Sequence, residues 1–157
     1  MRIIGIDPGY DRLGIAVIDK PRSGKEVLLH SSCLQTSSKD TIYARFGEIG
    51  VEVSRIMDEF KPDALSIETL FISNNQKTAM RVSEARGIIM GEAIRRNISI
   101  YEYGPREIKA AITGDGSSDK AMVTKMVRLL VSIPPKKTVD DEYDAIAVAL
   151  CHSAHNR

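Results

Sequence analysis

The stretch MRIIGIDPGYDRLG, residues 1–14, decides how this chain is read. Ile3, Ile4 and Ile6 form a β-branched run that reads as a buried strand. Asp7 stands at its end, and Pro8-Gly9 opens a turn. A carboxylate on an apolar strand is costly to desolvate unless backbone donors, a cation or a metal satisfy it. Three later acids, Glu68, Asp141 and Asp144, fall where a fold can bring them to Asp7 and let all four share a metal.

Working outward, residues 13–19 read as a second strand, hairpin-paired with the first. Pro21, Ser23 and Gly24 mark a turn, and residues 27–36 a third strand. From Thr41 the period changes. Ile42, Phe46, Ile49, Val53, Ile56, Met57 and Phe60 recur at helical spacing, and Pro62 ends that helix. Ser37 or Ser38 is the expected cap. Residues 64–67 read as a short buried strand that Glu68 ends as Asp7 ends the first. A helix over 77–96, a strand over 98–103 and a short helix over 105–112 follow, the last with Pro105 in its first turn. Beyond a Gly/Ser loop at 114–118 come helices over 119–131, stopped by Pro134-Pro135, and over 139–155. The order β-β-β-α-β-α-β-α-α-α suggests an α/β fold: a mixed five-stranded sheet with three antiparallel strands first, flanked by helices, which is the ribonuclease H-like arrangement, although order alone leaves other α/β topologies open. No linker or repeat divides the chain, so residues 1–157 are expected to form one domain.

Composition excludes some classes. Hydrophobic residues make up 43% and charged residues 27%, ordinary for a globular protein. No apolar run approaches the roughly 20 residues of a membrane helix, and no membrane partner is expected. The chain enters a strand at once, so no signal peptide is expected, and Cys33 and Cys151 form no C-x-x-C; both suit the cytoplasm, with a single disulfide as the alternative. Net charge is +1, but residues 77–137 carry +6 while residues 1–76 carry −2 and 138–157 carry −3. An acidic cluster beside a basic segment suits a metal-dependent enzyme on a polyanion. Solvated helix faces would give the same balance.

Asp141 and Asp144 lie three apart and share a helix face, where like charges repel and want a cation. Thr138-x-x-Asp141 has capping-box spacing, so Asp141 reads equally as a first-turn helix acid. Asp140 competes with it as the fourth ligand, although the spacing to Asp144 favours Asp141. Asp144 opens the small, apolar segment 144–149, which should lie flat on the sheet and put the acid at the rim near Asp7 and Glu68. Magnesium takes oxygen ligands such as these. Two ions about 3.5–4 Å apart can clamp an in-line displacement at phosphorus, and Asp7 is placed to bridge them. No Cys/His cluster suggests zinc, and His152 and His155 read as surface residues or partners of the helix C-terminus.

These motifs together resemble the RuvC family of Holliday junction resolvases, the crossover junction endodeoxyribonucleases. The matching pieces are IIGIDPG at 3–9, Glu68 with Phe71, Ala85-Arg86-Gly87, YGPREIK at 103–109, Thr113 to Gly116, Asp119-Lys120, and Asp141-x-x-Asp144-Ala-x-Ala. The resemblance implies a homodimer that nicks four-way junction DNA symmetrically, with Mg2+ or Mn2+, and leaves ligatable ends. It implies Asp7, Glu68, Asp141 and Asp144 as catalytic metal-binding acids, two ions per site. It implies Lys109 and Lys120 at the phosphate, Phe71 stacked on an unpaired base, and a branch-migration helicase complex as a partner. Ser83, Met122 and Ser73 depart from the family pattern. Beside this, Lys109 and Lys120 read plainly as solvated lysines, Phe71 as a tucked loop residue, and Gly87 and Gly91 as relief of helix crowding.

The competing functions are another ribonuclease H-like nuclease acting on RNA or other branched nucleic acid, an actin-like phosphotransferase, and a non-catalytic junction binder. A phosphotransferase of that kind needs two lobes, and this chain has room for one. An inert binder has no reason to crowd four acids.

Overall fold

The computed structural model describes residues 1–70, 76–133 and 138–156. The elements run β1 (Arg2–Asp7), β2 (Arg12–Asp19), β3 (Val27–Gln35), α1 (Ile42–Phe60), β4 (Ala64–Glu68), α2 (Gln76–Arg95), β5 (Ser99–Tyr103), α3 (Pro105–Thr113), α4 (Lys120–Leu130) and α5 (Asp140–His155). The sheet order is β3-β2-β1-β4-β5. β1 pairs antiparallel with β2, and β2 with β3. β1 pairs parallel with β4, and β4 with β5. The expected mixed sheet, antiparallel first and parallel after, is therefore present, and no helix among the described residues is long and apolar enough to cross a membrane.

Strand alternation sorts the side chains into two cores. Ile4 and Ile6 of β1, Leu13, Ile15 and Val17 of β2, and Leu65 and Ile67 of β4 pack on α1 and α2 through Ile49, Val53, Ile56, Ala85 and Ile89. Ile3, Ala16 and Ile18 face the other way, onto α5 and the α3–α4 pair. α5 is buried over most of its length, from Glu142 to Ser153. Its first turns and Ala-rich middle cross the sheet where the strands have no side chains. A Cβ on Gly5 would lie 2.3 Å from the Ala145 carbonyl oxygen and 2.6 Å from the Ala149 nitrogen. A Cβ on Gly14 would lie 2.2 Å from the Asp141 carbonyl oxygen. Ser66 of β4 donates its hydroxyl to the Val148 carbonyl at 2.8 Å, tying a third strand to the same helix.

Several local expectations need correction. Thr41 caps α1, accepting from the Ala44 N–H at 3.2 Å; Ser37 instead accepts from Lys39 N–H in a turn of its own. The α5 cap is Val139, whose N–H donates to Glu142 Oε1 at 3.4 Å, so Thr138-x-x-Asp141 is not the capping box. His152 is 1% exposed rather than at the surface, with its Nδ1 2.7 Å from the Tyr103 hydroxyl. Cys33 and Cys151 are free thiols, so the disulfide alternative falls away. Phe71 and Pro134-Pro135 lie outside the described residues.

The seat of α5 makes a sharp stability test. Gly5→Ala forces a methyl into helix backbone and should cost about 3 kcal/mol or more. Gly47→Ala, on the exposed face of α1 with nothing within 4 Å of the new methyl, should gain about 0.5–1 kcal/mol. Urea denaturation of both variants measures the two signs; equal midpoints would contradict the packing described.

Candidate active site

Asp7 and Glu68 are the last residues of two neighbouring parallel strands, one step beyond the paired Ile6 and Ile67. Alternation puts them on the same side as Gly5 and Ser66, the side that α5 covers. Gly14, opposite Asp7 in the β1–β2 ladder, lets the first turn of α5 come down beside that aspartate. Asp141 and Asp144 enter from that turn and the next. Four acids from three distant segments thus meet at one end of the sheet.

Their electrostatics show the proximity. Burial pushes the Asp7 carboxyl from the usual 3.8 up to about 7, with Glu68, Asp144 and Asp141 adding repulsion in that order and Lys120 opposing. Glu68 is raised by burial and then by Asp144, against the pull of Arg86 and Lys109. Asp141 moves the other way: the Arg12 guanidinium holds its carboxyl below the usual range. Arg12 donates from Nε at 2.9 Å and from Nη2 at 2.5 Å, both to Asp141 Oδ2. Lys120 donates to Asp144 Oδ2 at 2.8 Å and stands 3.7 Å from Asp140 Oδ2. Among the described residues no hydrogen-bond donor or ion-pair partner reaches the Asp7 or Glu68 carboxylate. The inner two acids feel cations only at a distance, Lys120 for Asp7 and Arg86 and Lys109 for Glu68, whereas the outer two are directly paired with the chain's own cations.

Asp141 rather than Asp140 is the neighbour of Asp7: a Cβ on Gly14 would lie 2.2 Å from the Asp141 carbonyl oxygen and 3.2 Å from the Asp7 Cβ. Asp140 is largely solvent-exposed. Among the described residues no three His, Cys, Asp or Glu side chains form a closed metal-holding group. The donor set is nonetheless all carboxylate oxygen, which suits a hard divalent ion. Two partly buried carboxylates that no ion pair or hydrogen bond satisfies are the chemistry such an ion would relieve.

A cleft opens beside the acids, lined by Glu68, Lys109, Lys120 and Asp144 over a floor that includes Ile108 and Val123. Lys109 comes from α3. Lys120 is the first residue of α4, whose cap Asp119 accepts from the Met122 N–H at 2.8 Å. The loop between these helices is internally tied: Asp115 accepts from the Ser117 N–H at 2.8 Å, and Thr113 donates to the Lys109 carbonyl at 2.8 Å. The Ser117 N–H is therefore already engaged rather than free for phosphate. Gly87 and Gly91 do not relieve crowding within the chain; a Cβ on Gly87 meets nothing within 4 Å, and one on Gly91 meets only the Arg95 guanidinium at 3.8 Å.

Two basic residues escaped the sequence reading. Arg12 lies inside the opening stretch, but its pairing with Asp141 spans 129 positions and leaves no local signature. Arg86 of α2 is nearly buried, pairs with Glu102 and lies close enough to Glu68 to lower its carboxyl. Its place in Ala85-Arg86-Gly87 was the available signal.

Comparison with known proteins agrees with this geometry. The family model described as crossover junction endodeoxyribonuclease RuvC matches residues 3–152. The chain is 42% identical over 158 residues to crossover junction endodeoxyribonuclease RuvC of Thermosipho melanesiensis, covering 100% of this chain and 99% of that one. It is 38% identical over 152 residues to the protein of the same name from Mycobacterium sp. strain KMS, covering 97% of this chain and 82% of that one. Its fold superposes on Thermus thermophilus RuvC, solved in complex with a Holliday junction substrate, with a TM-score of 0.93 at 31% identity, covering 100% and 95% of the two chains. Matched from its first strand to its last helix by sequence and by fold, the chain belongs to the RuvC family of crossover junction endodeoxyribonucleases.

Proposed function

We propose that this chain is a structure-selective endodeoxyribonuclease that resolves four-way DNA junctions by paired, symmetric nicks. The observation that carries the reading is the pair Asp7 and Glu68: two strand-end carboxylates, partly buried with no direct ion pair, beside Asp144 and a lysine-rimmed cleft. Family membership adds the substrate class, since the T. thermophilus relative is solved on a Holliday junction. An RNA-directed ribonuclease H-like nuclease is not favoured by that membership.

Asp7, Glu68, Asp141 and Asp144 are the residues that would hold divalent ions, Mg2+ or Mn2+, two to a site. When bound, such ions supply charge neutralisation and a water of lowered pKa. The chain's own part is positional. Lys109 and Lys120 hold the phosphate over the cleft as point charges. The acids fix the approach line, and the wall formed by α3 and α4 limits water. Hydrolysis adds one water across the scissile phosphodiester: a new P–O bond forms, the bond to the 3′ oxygen breaks, and that oxygen takes a proton. A 3′-hydroxyl and a 5′-phosphate remain, which a ligase can rejoin. Two such sites, one per copy of a homodimer, would make the paired nicks. The open glycine face of α2 at Gly87 and Gly91 supports a second copy there. Phe71 is assigned to base stacking at the crossover by family pattern. Residues 1–157 act as one domain in this reading, the location is cytoplasmic, and a branch-migration helicase complex is the further partner.

Asp7→Asn, Glu68→Gln and Asp144→Asn should each leave junction binding intact while cleavage falls more than about a hundredfold, beyond what loss of an outer-shell partner costs. Gel-shift and nicking assays on one synthetic four-way junction measure both quantities. Retained nicking at saturating Mg2+ would remove these assignments.

The raised Asp7 carboxyl also sets a pH dependence. Its folded value, about 7, exceeds its ordinary 3.8, so between these limits the folded chain holds a proton that the unfolded chain has released. Stability of the metal-free protein should therefore fall as pH rises through that window. Asp7→Asn removes this slope and should melt above the parent beyond pH about 7, with the gap shrinking to nothing near pH 4. Thermal melts of both proteins across that range check the sign, and a constant gap would contradict it.

A further inference from the structure

Two of the four acids are neutralised from within the chain, and the two neutralisations differ. Lys120 lines the cleft and so stands on the side where the phosphate would lie. Arg12 does not line it. It reaches Asp141 from the opening of β2, on the opposite flank, and spends two N–H groups on one oxygen, Oδ2. A guanidinium usually spreads over both oxygens of a carboxylate, the stronger arrangement. Here the pair is also open: the Arg12 side chain is 46% exposed and that of Asp141 21%. An exposed ion pair of this kind is weak and easily exchanged.

The backbone from which Arg12 projects is by contrast fixed. Arg45 of α1, itself 7% exposed, donates to the Tyr10 carbonyl at 3.1 Å and to Thr36 Oγ1 at 2.8 Å, and pairs with Asp11. The Asp11 carbonyl accepts from the Thr36 N–H at 3.1 Å. A pinned turn thus carries one long, solvent-side arm whose head rests on an acid of the site.

We infer that Arg12 is a positioning residue for Asp141, an internal counter-cation that competes with a divalent ion for that carboxylate and gives it up as the site loads. Arg12 then sets the ion concentration at which the four acids fill. It also keeps the ion-free protein from carrying a third acid without an ion-pair partner. The inference rests on the metal-site reading given under Proposed function.

Mn2+ binding to the full-length, DNA-free protein, followed by the free-ion signal in electron paramagnetic resonance, tests it without any cleavage readout. Arg12→Gln keeps the stem and a donor but removes the charge. Its Mn2+ dissociation constant should fall about three- to fivefold, the scale of an exposed ion pair, with Arg12→Lys close to the parent. Without Mn2+, Arg12→Gln should melt below the parent; with saturating Mn2+ it should gain more than the parent gains. A residue that only braced the fold would lower both melts and raise the constant. If Asp7→Asn abolishes Mn2+ binding while Arg12→Gln leaves the constant unchanged or higher, the Arg12 role is overturned and the nuclease reading stands. If the parent binds no Mn2+ at all, both fall.

Discussion

The contact between α5 and the β1–β2 hairpin is the constraint from which the site follows. At Gly5 and Gly14 the helix backbone occupies the space a side chain would need. Such a seat cannot slide, because a shift of one turn would drive the helix into Ile3 or leave a void at close-packed density. Ser66 locks the next strand to the same helix through the Val148 carbonyl. With β1, β2, β4 and α5 fixed to one another, the acids at the strand ends and in the helix's first turns have no freedom to separate. Geometry imposed by apolar and backbone packing thus holds together groups that electrostatics would push apart.

The cost of that imposition is unequally shared. Asp7 and Glu68 lie under the helix and have given up water without gaining a direct ion pair. Asp141 and Asp144 lie at the rim and keep both water and a cation. The three successive acids at the start of α5 show how finely position divides similar residues. Asp140 is solvated, Asp141 joins the site, and Glu142 turns inward to accept from the Ser31 hydroxyl at 2.6 Å. All three gain from the helix N-terminus, but only Asp141 comes down beside Asp7.

The fold was legible because its signals are local and periodic. The run Ile3-Ile4-Gly5-Ile6, the helical stripe from Ile42 to Phe60 and the Ala-rich segment of α5 each report their own environment. The convergence of Asp7, Glu68 and Asp144 was legible too, since strand ends and a helix rim have few places to go in a βαβ sheet. What stayed hidden depends on register across the chain. Two serines before α1 looked like caps, but Thr41 adjoins the first helical residue and took the bond. His152 looked superficial because its helix ends the chain, but that helix is the buried one. The capping and site roles of Asp141 were indistinguishable by spacing, and Val139 with Glu142 settled the capping part. Arg12 could not be assigned at all, because nothing near it in sequence hints at the acid it meets.

The uneven charge along the chain gains its meaning only in space. The segment 77–137 carries the excess of basic residues, and it supplies Arg86, Lys109 and Lys120, from three different helices, to the margin of the acid group. Cations at the rim and acids at the centre give the two halves of the work to different residues. Cations at a rim favour a phosphate backbone, whereas carboxylates at a centre disfavour it until their charge is offset. Under the proposed function, engagement of the polyanion and breakage of a strand would rest on different residues of one margin. A nuclease acting on a branched intermediate gains from that separation, because it can engage and orient the junction before it is competent to break a strand.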